Sequence, residues 1–442
     1  MSILVVLVVI VLSLVSIFAP IFGLSGYYFT SILQPHTVWD WYPDHLRLNL
    51  ILGLACLLGF FLNVANRETV KIHSAFSFQS FMMATMLFII HVSEIFSPYR
   101  DFVIPPKMIP PDVILGDLNI MFVFYFVFVA LVNNEKRLVA LAYVLAATGL
   151  VLVYWSNSTY SYYGWAILNW EGRMAGPANQ DENIFAARIV SITPLLFYIG
   201  VLQQKKMYRY FFWVWALLAW HSVFLTGSRG GLLSLAIVIL ITLWSYRSKK
   251  LGLIVLGGFL VALVWQSPAL IERVTKTIEQ GQELVDDGPV DPRILSWAAG
   301  IEMVLDKPIL GVGAGRFQQA SMDYGADIPY VAHNTFLQLS ANSGLFAGCI
   351  YLLLLYLSVR DIPKVRRYIG RREGGGIERI EPAIAIYLAS ANGLVGFYIC
   401  SIFLDLIVYE LFYILIGINF CARLIMRERL VATPVSRVNG TQ

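Results

Sequence analysis

Apolar runs long enough to cross a bilayer recur along almost the whole chain. A spanning helix needs roughly 20 mainly apolar residues. Windows of that kind stand near 3–22, 46–64, 77–96, 113–132, 137–155, 184–203, 208–226, 230–246, 251–266, 334–358, 383–403 and 405–423. Backbone in lipid must satisfy its own hydrogen bonds, so these windows predict an all-α polytopic membrane protein of about twelve spans. The composition agrees: the 442 residues are 58% hydrophobic and only 14% charged, with a mean hydropathy of +0.69. An ordinary soluble domain is excluded.

The first window has no charged leader and no small-residue cleavage site after it, so it reads as a retained first helix. Basic residues fix the orientation, because cytoplasmic loops keep them. Most of the 32 Lys and Arg fall in one alternate set of loops: Arg67 and Lys71; Lys136 and Arg137; Lys205, Lys206 and Arg209; Arg247, Lys249 and Lys250; Arg360 to Arg379; and the tail from Arg423. That predicts both termini on the cytoplasmic side of the membrane. The net charge of +4 gives no reason to invoke nucleic acid. Cys56, Cys349, Cys400 and Cys421 sit in apolar segments without CxxC spacing, so neither a disulfide framework nor a zinc site is expected.

Three stretches on the opposite side are long: 23–45, 155–183 and 267–333. The chain divides accordingly into nine spans over 1–266, a long non-cytoplasmic loop over 267–333, and three spans with a tail over 334–442. Within the loop, Leu270, Ile271, Val274 and Ile278 recur at helical spacing, and PRILSWAAGIEMVLDKP from Pro292 repeats the pattern. Two amphipathic helices on the membrane surface are expected. The stretch 359–382 reads as a solvated basic linker able to touch anionic lipid.

Candidate site residues cluster at the ends of spans. Arg229 stands in HSVFLTGSRGGLLSLAIVILITLW, where an arginine at membrane depth costs about 2.5–3.5 kcal/mol. Gly227, Ser228, Gly230 and Gly231 make a side-chain-free turn around it, where backbone N–H groups can face an anion; snorkelling to the interface is the plainer explanation. His333 ends the long loop. Asn334 and Thr335 are good capping residues, which leaves the imidazole available as a general base. Arg293, in VDPRILSWAAG, lies in the first turn of a helix, and Arg316 follows GVGAG, where nothing strand-like supports a nucleotide fingerprint. Arg188 lies about one turn into a span, where it either pairs with Asp181 or Glu182 or points into the bundle. His36, Asp40, Asp44 and His45 match no metal-ligand spacing, and their Trp neighbours suggest an interfacial belt.

Together TGSRGGLL, DPRILSW…DKPILGVGAGRF and AHNTFLQLSANSGLFAG, in that order, resemble the O-antigen ligase and polymerase family of bacterial envelope enzymes. The opening FAPIFGLSGYYFTSILQPHTVWDW also resembles its subgroup of O-glycosylation ligases associated with exosortase systems. The resemblance implies a GT-C-like fold and transfer of a glycan from an undecaprenyl-pyrophosphate carrier to an acceptor hydroxyl in the periplasm, without metal or nucleotide cofactor. By motif, Arg229 and Arg293 would bind pyrophosphate, with Arg188 adding positive charge, and His333 would activate the acceptor; Ser228, Gly230, Asn334 and Arg316 would support them. The acceptor, whether lipid, glycan or protein, stays open, as does ligase against polymerase. A transporter of lipid-linked sugars would want the same outward basic cavity but paired half-helices too. An intramembrane protease on Ser228 and His333 lacks a nucleophile elbow.

Overall fold

The computed structural model describes residues 1–66, 68–102, 108–169, 172–246, 257–258, 292–326, 328–372 and 380–432. Apart from one isolated Gly176–Gln180 bridge, the regular structure among these residues is helical. Counting helices of nine residues or more, the order is α1 Ser2–Phe18, α2 Pro20–Leu33, α3 Leu48–Leu62, α4 Phe78–Ile95, α5 Pro111–Leu131, α6 Glu135–Tyr163, α7 Glu182–Leu202, α8 Lys206–Thr226 and α9 Arg229–Tyr246. After the loop come α10 Pro292–Asp306, α11 Thr335–Ser343, α12 Leu345–Val359, α13 Ile362–Arg372, α14 Pro382–Cys400 and α15 Glu410–Ala432. Among the described residues, 8 helices are long and apolar enough to cross a membrane. The window 251–266 and the amphipathic pattern at 270–278 fall almost wholly outside the described residues.

The bundle is built around α7 and α14, whose apolar windows are 83% and 89% buried against half or less elsewhere. Small residues let these two approach. A Cβ on Gly393 would come within 2.3 Å of the Ser191 carbonyl oxygen, and one on Gly396 would meet Val238 and Val190. Without a hydrophobic force between helices in lipid, such close contact is what holds a bundle together.

Four expectations change. The window 3–22 is not one helix: Ala19 leaves the helical region at φ −136° and Pro20 opens α2. The chain folds back there, since Cβ atoms on Gly23 and Gly26 would meet Ser16 and Leu12. Residues 20–33 are therefore helix, not the start of a long loop. The hairpin returns Ser2 to the end of the bundle that holds Trp41, where the Ser2 hydroxyl donates to the Trp41 carbonyl at 2.6 Å.

The window 334–358 breaks at Gly344, which takes φ +86° between α11 and α12. The window 405–423 starts late, because 401–409 is an irregular connection before α15. Part of the basic linker is helix, with Ile362, Val365 and Ile369 of α13 buried and Arg366 lying 4.9 Å over the Trp244 ring. The loop helix at 292 forms as expected. It buries Ala299 and Met303 in a small core of its own with Val312, Phe317, Ala320, Ala332 and Ala341. Its Ile294, Ile301 and Leu305 remain exposed along one face.

Candidate active site at one end of the bundle

The SRGG turn joins two antiparallel helices. Gly227 ends α8 in the left-handed region at φ +58°, a conformation glycine adopts without strain. Ser228 then caps α9: its Oγ accepts from the Gly231 N–H at 3.1 Å, and its carbonyl accepts from Leu232 at 2.9 Å. The two glycines serve packing. A Cβ on Gly230 would sit 2.9 Å from Phe403, and one on Gly231 would sit 2.7 Å from the Ala186 Cβ. The expected side-chain-free cradle is thus a seat for two neighbours, and Arg229 stands exposed on the first residue of α9.

Arg173, which the sequence did not single out, ties this turn to the next helix. Its Nε donates to the Thr226 carbonyl at 3.2 Å and its Nη2 to Asn183 Oδ1 at 2.9 Å. Asp181 caps α7 through its Oδ1, which accepts from Asn183 and Ile184 at 2.8 and 3.0 Å.

Arg188 lies two turns further along α7, only 2% exposed. Neither expected acid pairs with it. Its Nε donates to the Tyr409 hydroxyl, and the guanidinium lies 5.5 Å from the Tyr409 ring centre. Among the described residues its two terminal nitrogens make no hydrogen bond.

His333 takes φ +47°, which a non-glycine residue rarely holds. The peptides before it are clamped. Ser296 Oγ donates to the Val331 carbonyl at 2.7 Å and Trp297 Nε1 to the Ala332 carbonyl at 2.7 Å. Both donors come from α10, whose first turn carries Arg293, so the clamp brings Arg293 and His333 together. Asn334 caps α11 as expected, accepting from Leu337 at 3.0 Å. Partial burial, and next the Arg293 charge, lower the proton affinity of His333 below the ordinary histidine value, while Asp181 opposes them. The imidazole is held neutral near neutral pH and can accept a proton.

The connection 401–409 links these pieces, and the sequence reading divided it between two spans. Thr335 donates its N–H to the Ser401 carbonyl at 2.8 Å and its hydroxyl to the Leu404 carbonyl at 2.7 Å. Gln338 reaches Asp405, Phe403 covers Gly230, and Tyr409 holds Arg188. A polar signal was available, since Ser401, Asp405 and Glu410 interrupt an otherwise apolar run.

Arg316 lies apart. It forms an ion pair with Glu94 of α4 at 2.6 Å, with the arginine buried and the glutamate nearly so. The GVGAG run before it lashes α11 in place, with Val312 and Gly313 donating to the Ala341 and Asn342 carbonyls at 2.9 Å each. Among the described residues no group of His, Cys, Asp and Glu is placed to hold a metal ion.

One end of the bundle thus gathers Arg188, Arg229, Arg293 and His333 on the α7 start, the α8–α9 turn, the α10 start and the α11 start. The family model described as O-antigen ligase matches residues 214–352. That segment holds the SRGG turn, Arg293 and His333, and leaves Arg188 and the 401–409 connection outside it. A search of curated proteins gives no match. Over residues 214–352 the chain is similar to the O-antigen ligase family.

Proposed function

We propose that the protein transfers a glycan from an undecaprenyl-pyrophosphate carrier to an acceptor hydroxyl, in the manner of a ligase, on the periplasmic side of the bacterial inner membrane. The observation that carries this reading is the pairing of a proton-accepting His333 with Arg293, at the same bundle end as the buried guanidinium of Arg188. Similarity to the O-antigen ligase family over residues 214–352 supports glycan chemistry in general; the carrier, acceptor and membrane side are the proposal.

His333 takes the proton of the acceptor hydroxyl as that oxygen attacks the anomeric carbon. The bond from that carbon to the pyrophosphate oxygen breaks, and the electron pair leaves with undecaprenyl pyrophosphate. The His333 proton then passes to water. Pyrophosphate is already a good leaving group, so the protein's main task is to neutralise charge. Guanidinium groups do so by bidentate contacts that a lysine cannot copy. Arg188 has two terminal nitrogens for that purpose, and Arg229 and Arg293 provide further positive charge at the same end.

A single displacement inverts the anomeric configuration. NMR of the product tests this: inversion is expected, and retention rejects the one-step mechanism. The acceptor is tested with purified protein, the lipid-linked oligosaccharide and a panel of acceptors. One shifted band with one acceptor means ligase, whereas a ladder without added acceptor means polymerase.

A further inference from the structure

We infer that Gln338 and Asp405 form a two-side-chain relay that sets the backbone at His333, which makes both of them positioning residues for the transfer reaction. The inference rests on the proposed role of His333. Gln338 lies one turn into α11, and its side chain leans back toward the helix start, as helical side chains do. Its Oε1 accepts from the Ala332 N–H at 2.9 Å, and its Nε2 donates to Asp405 Oδ2 at 2.6 Å. The amide therefore has one permitted orientation, because its oxygen must face an N–H and its nitrogen a carboxylate. Gln338 is 8% exposed, so water is a poor substitute for either partner.

The reason for such a relay is the conformation it supports. His333 sits at φ +47°. The peptides before it have their carbonyls fixed by Ser296 and Trp297, both from α10. Gln338 supplies the hydrogen bond to the Ala332 N–H, and it alone of the three reaches the 401–409 connection. That connection also carries Tyr409 on Arg188 and Phe403 on Gly230. The relay thus sets the imidazole in register with the arginines that receive the leaving pyrophosphate. Burial pushes the Asp405 carboxyl up to about 6, so at pH 7.5 it still accepts the amide.

The test exchanges the donor across the contact. Gln338→Glu puts two carboxyl groups face to face with no amide between them. Gln338→Glu/Asp405→Asn restores a donor on the 405 side and keeps an acceptor for Ala332. At pH 7.5, with the lipid-linked oligosaccharide as donor, Gln338→Glu and Gln338→Ala are expected to lower kcat by about tenfold to a hundredfold, the cost of a slightly misplaced catalytic group, with donor KM little changed. The double variant is expected to regain most of the wild-type kcat. An unchanged donor KM also shows that the variants are folded. Wild-type kcat in Gln338→Ala, or no recovery in the double variant, overturns the relay. His333→Ala run beside them separates the two ideas. If it keeps full activity, the reading of His333 itself fails; if it is inactive while Gln338→Ala is not, only the relay fails.

Discussion

Arg188 and Tyr409, 221 positions apart, meet at the end of the bundle where α7 and α15 begin, and the phenol oxygen takes the arginine Nε. The guanidinium is oriented through that nitrogen, and its two terminal nitrogens are left for another acceptor. On the proposed reading, a buried arginine held this way is set for an anion before one arrives.

Tyr409→Phe keeps the ring under the guanidinium and removes only the oxygen. Hydrogen bonds to charged groups contribute about 1.5–3 kcal/mol, so donor KM should rise about tenfold or more while acceptor KM stays put. Arg188→Lys should lose more, because an ammonium lacks the fork. An unchanged donor KM in both variants would remove Arg188 from the donor site.

The acidic limb of the pH–rate profile should report His333, because the base works only when neutral. Its midpoint is expected below the ordinary histidine value, from partial burial first and Arg293 second. Arg293→Gln removes a positive neighbour, so His333 holds its proton more readily and the limb moves to higher pH. Asp181→Asn removes a negative neighbour and moves it to lower pH, and asparagine can still cap α7. Limbs that do not move in opposite directions would mean another group titrates.

Gly231→Ala places a Cβ 2.7 Å from that of Ala186, and both are fixed to helix backbone. Overpacking of this kind costs about 1–3 kcal/mol. Thermal unfolding in detergent should show a lower midpoint for the single variant and recovery in Gly231→Ala/Ala186→Gly. A single variant as stable as wild type would show that α7 and α9 are not packed so tightly.

Arg316→Gln should act on stability and not on the donor. Its partner Glu94 has a side chain 13% exposed, and breaking a buried ion pair by removing one member costs about 3–5 kcal/mol. Removing both charges should be milder. A raised donor KM at wild-type stability would instead make Arg316 a ligand contact.

Hydropathy located the main helices because apolar length is a local property, and the cap at Asn334 was legible because capping depends on side chains one turn away. The hairpin at Ala19–Pro20 was not, since apolar residues run on across the reversal. The connection 401–409 was hidden for the same reason: Ile402, Phe403, Leu404, Leu406, Ile407 and Val408 are as apolar as any span. For Arg188 the sequence left pairing with Asp181 or Glu182 open beside facing inward; it is buried, and its partner Tyr409 comes from the far end of the chain. Arg316, expected as a supporting residue, pairs with Glu94, which nothing near it in sequence names. Local chemistry was readable; pairings made by tertiary folding were not.

The most direct test is to incubate the purified protein in detergent with an undecaprenyl-pyrophosphate-linked oligosaccharide and a hydroxyl acceptor, and to measure released undecaprenyl pyrophosphate by chromatography. Stoichiometric release with glycan on the acceptor, at least about a hundredfold slower in His333→Ala, is the result expected of a general base. Donor recovered intact with every acceptor, or release at the same rate from wild type and His333→Ala, would contradict the account.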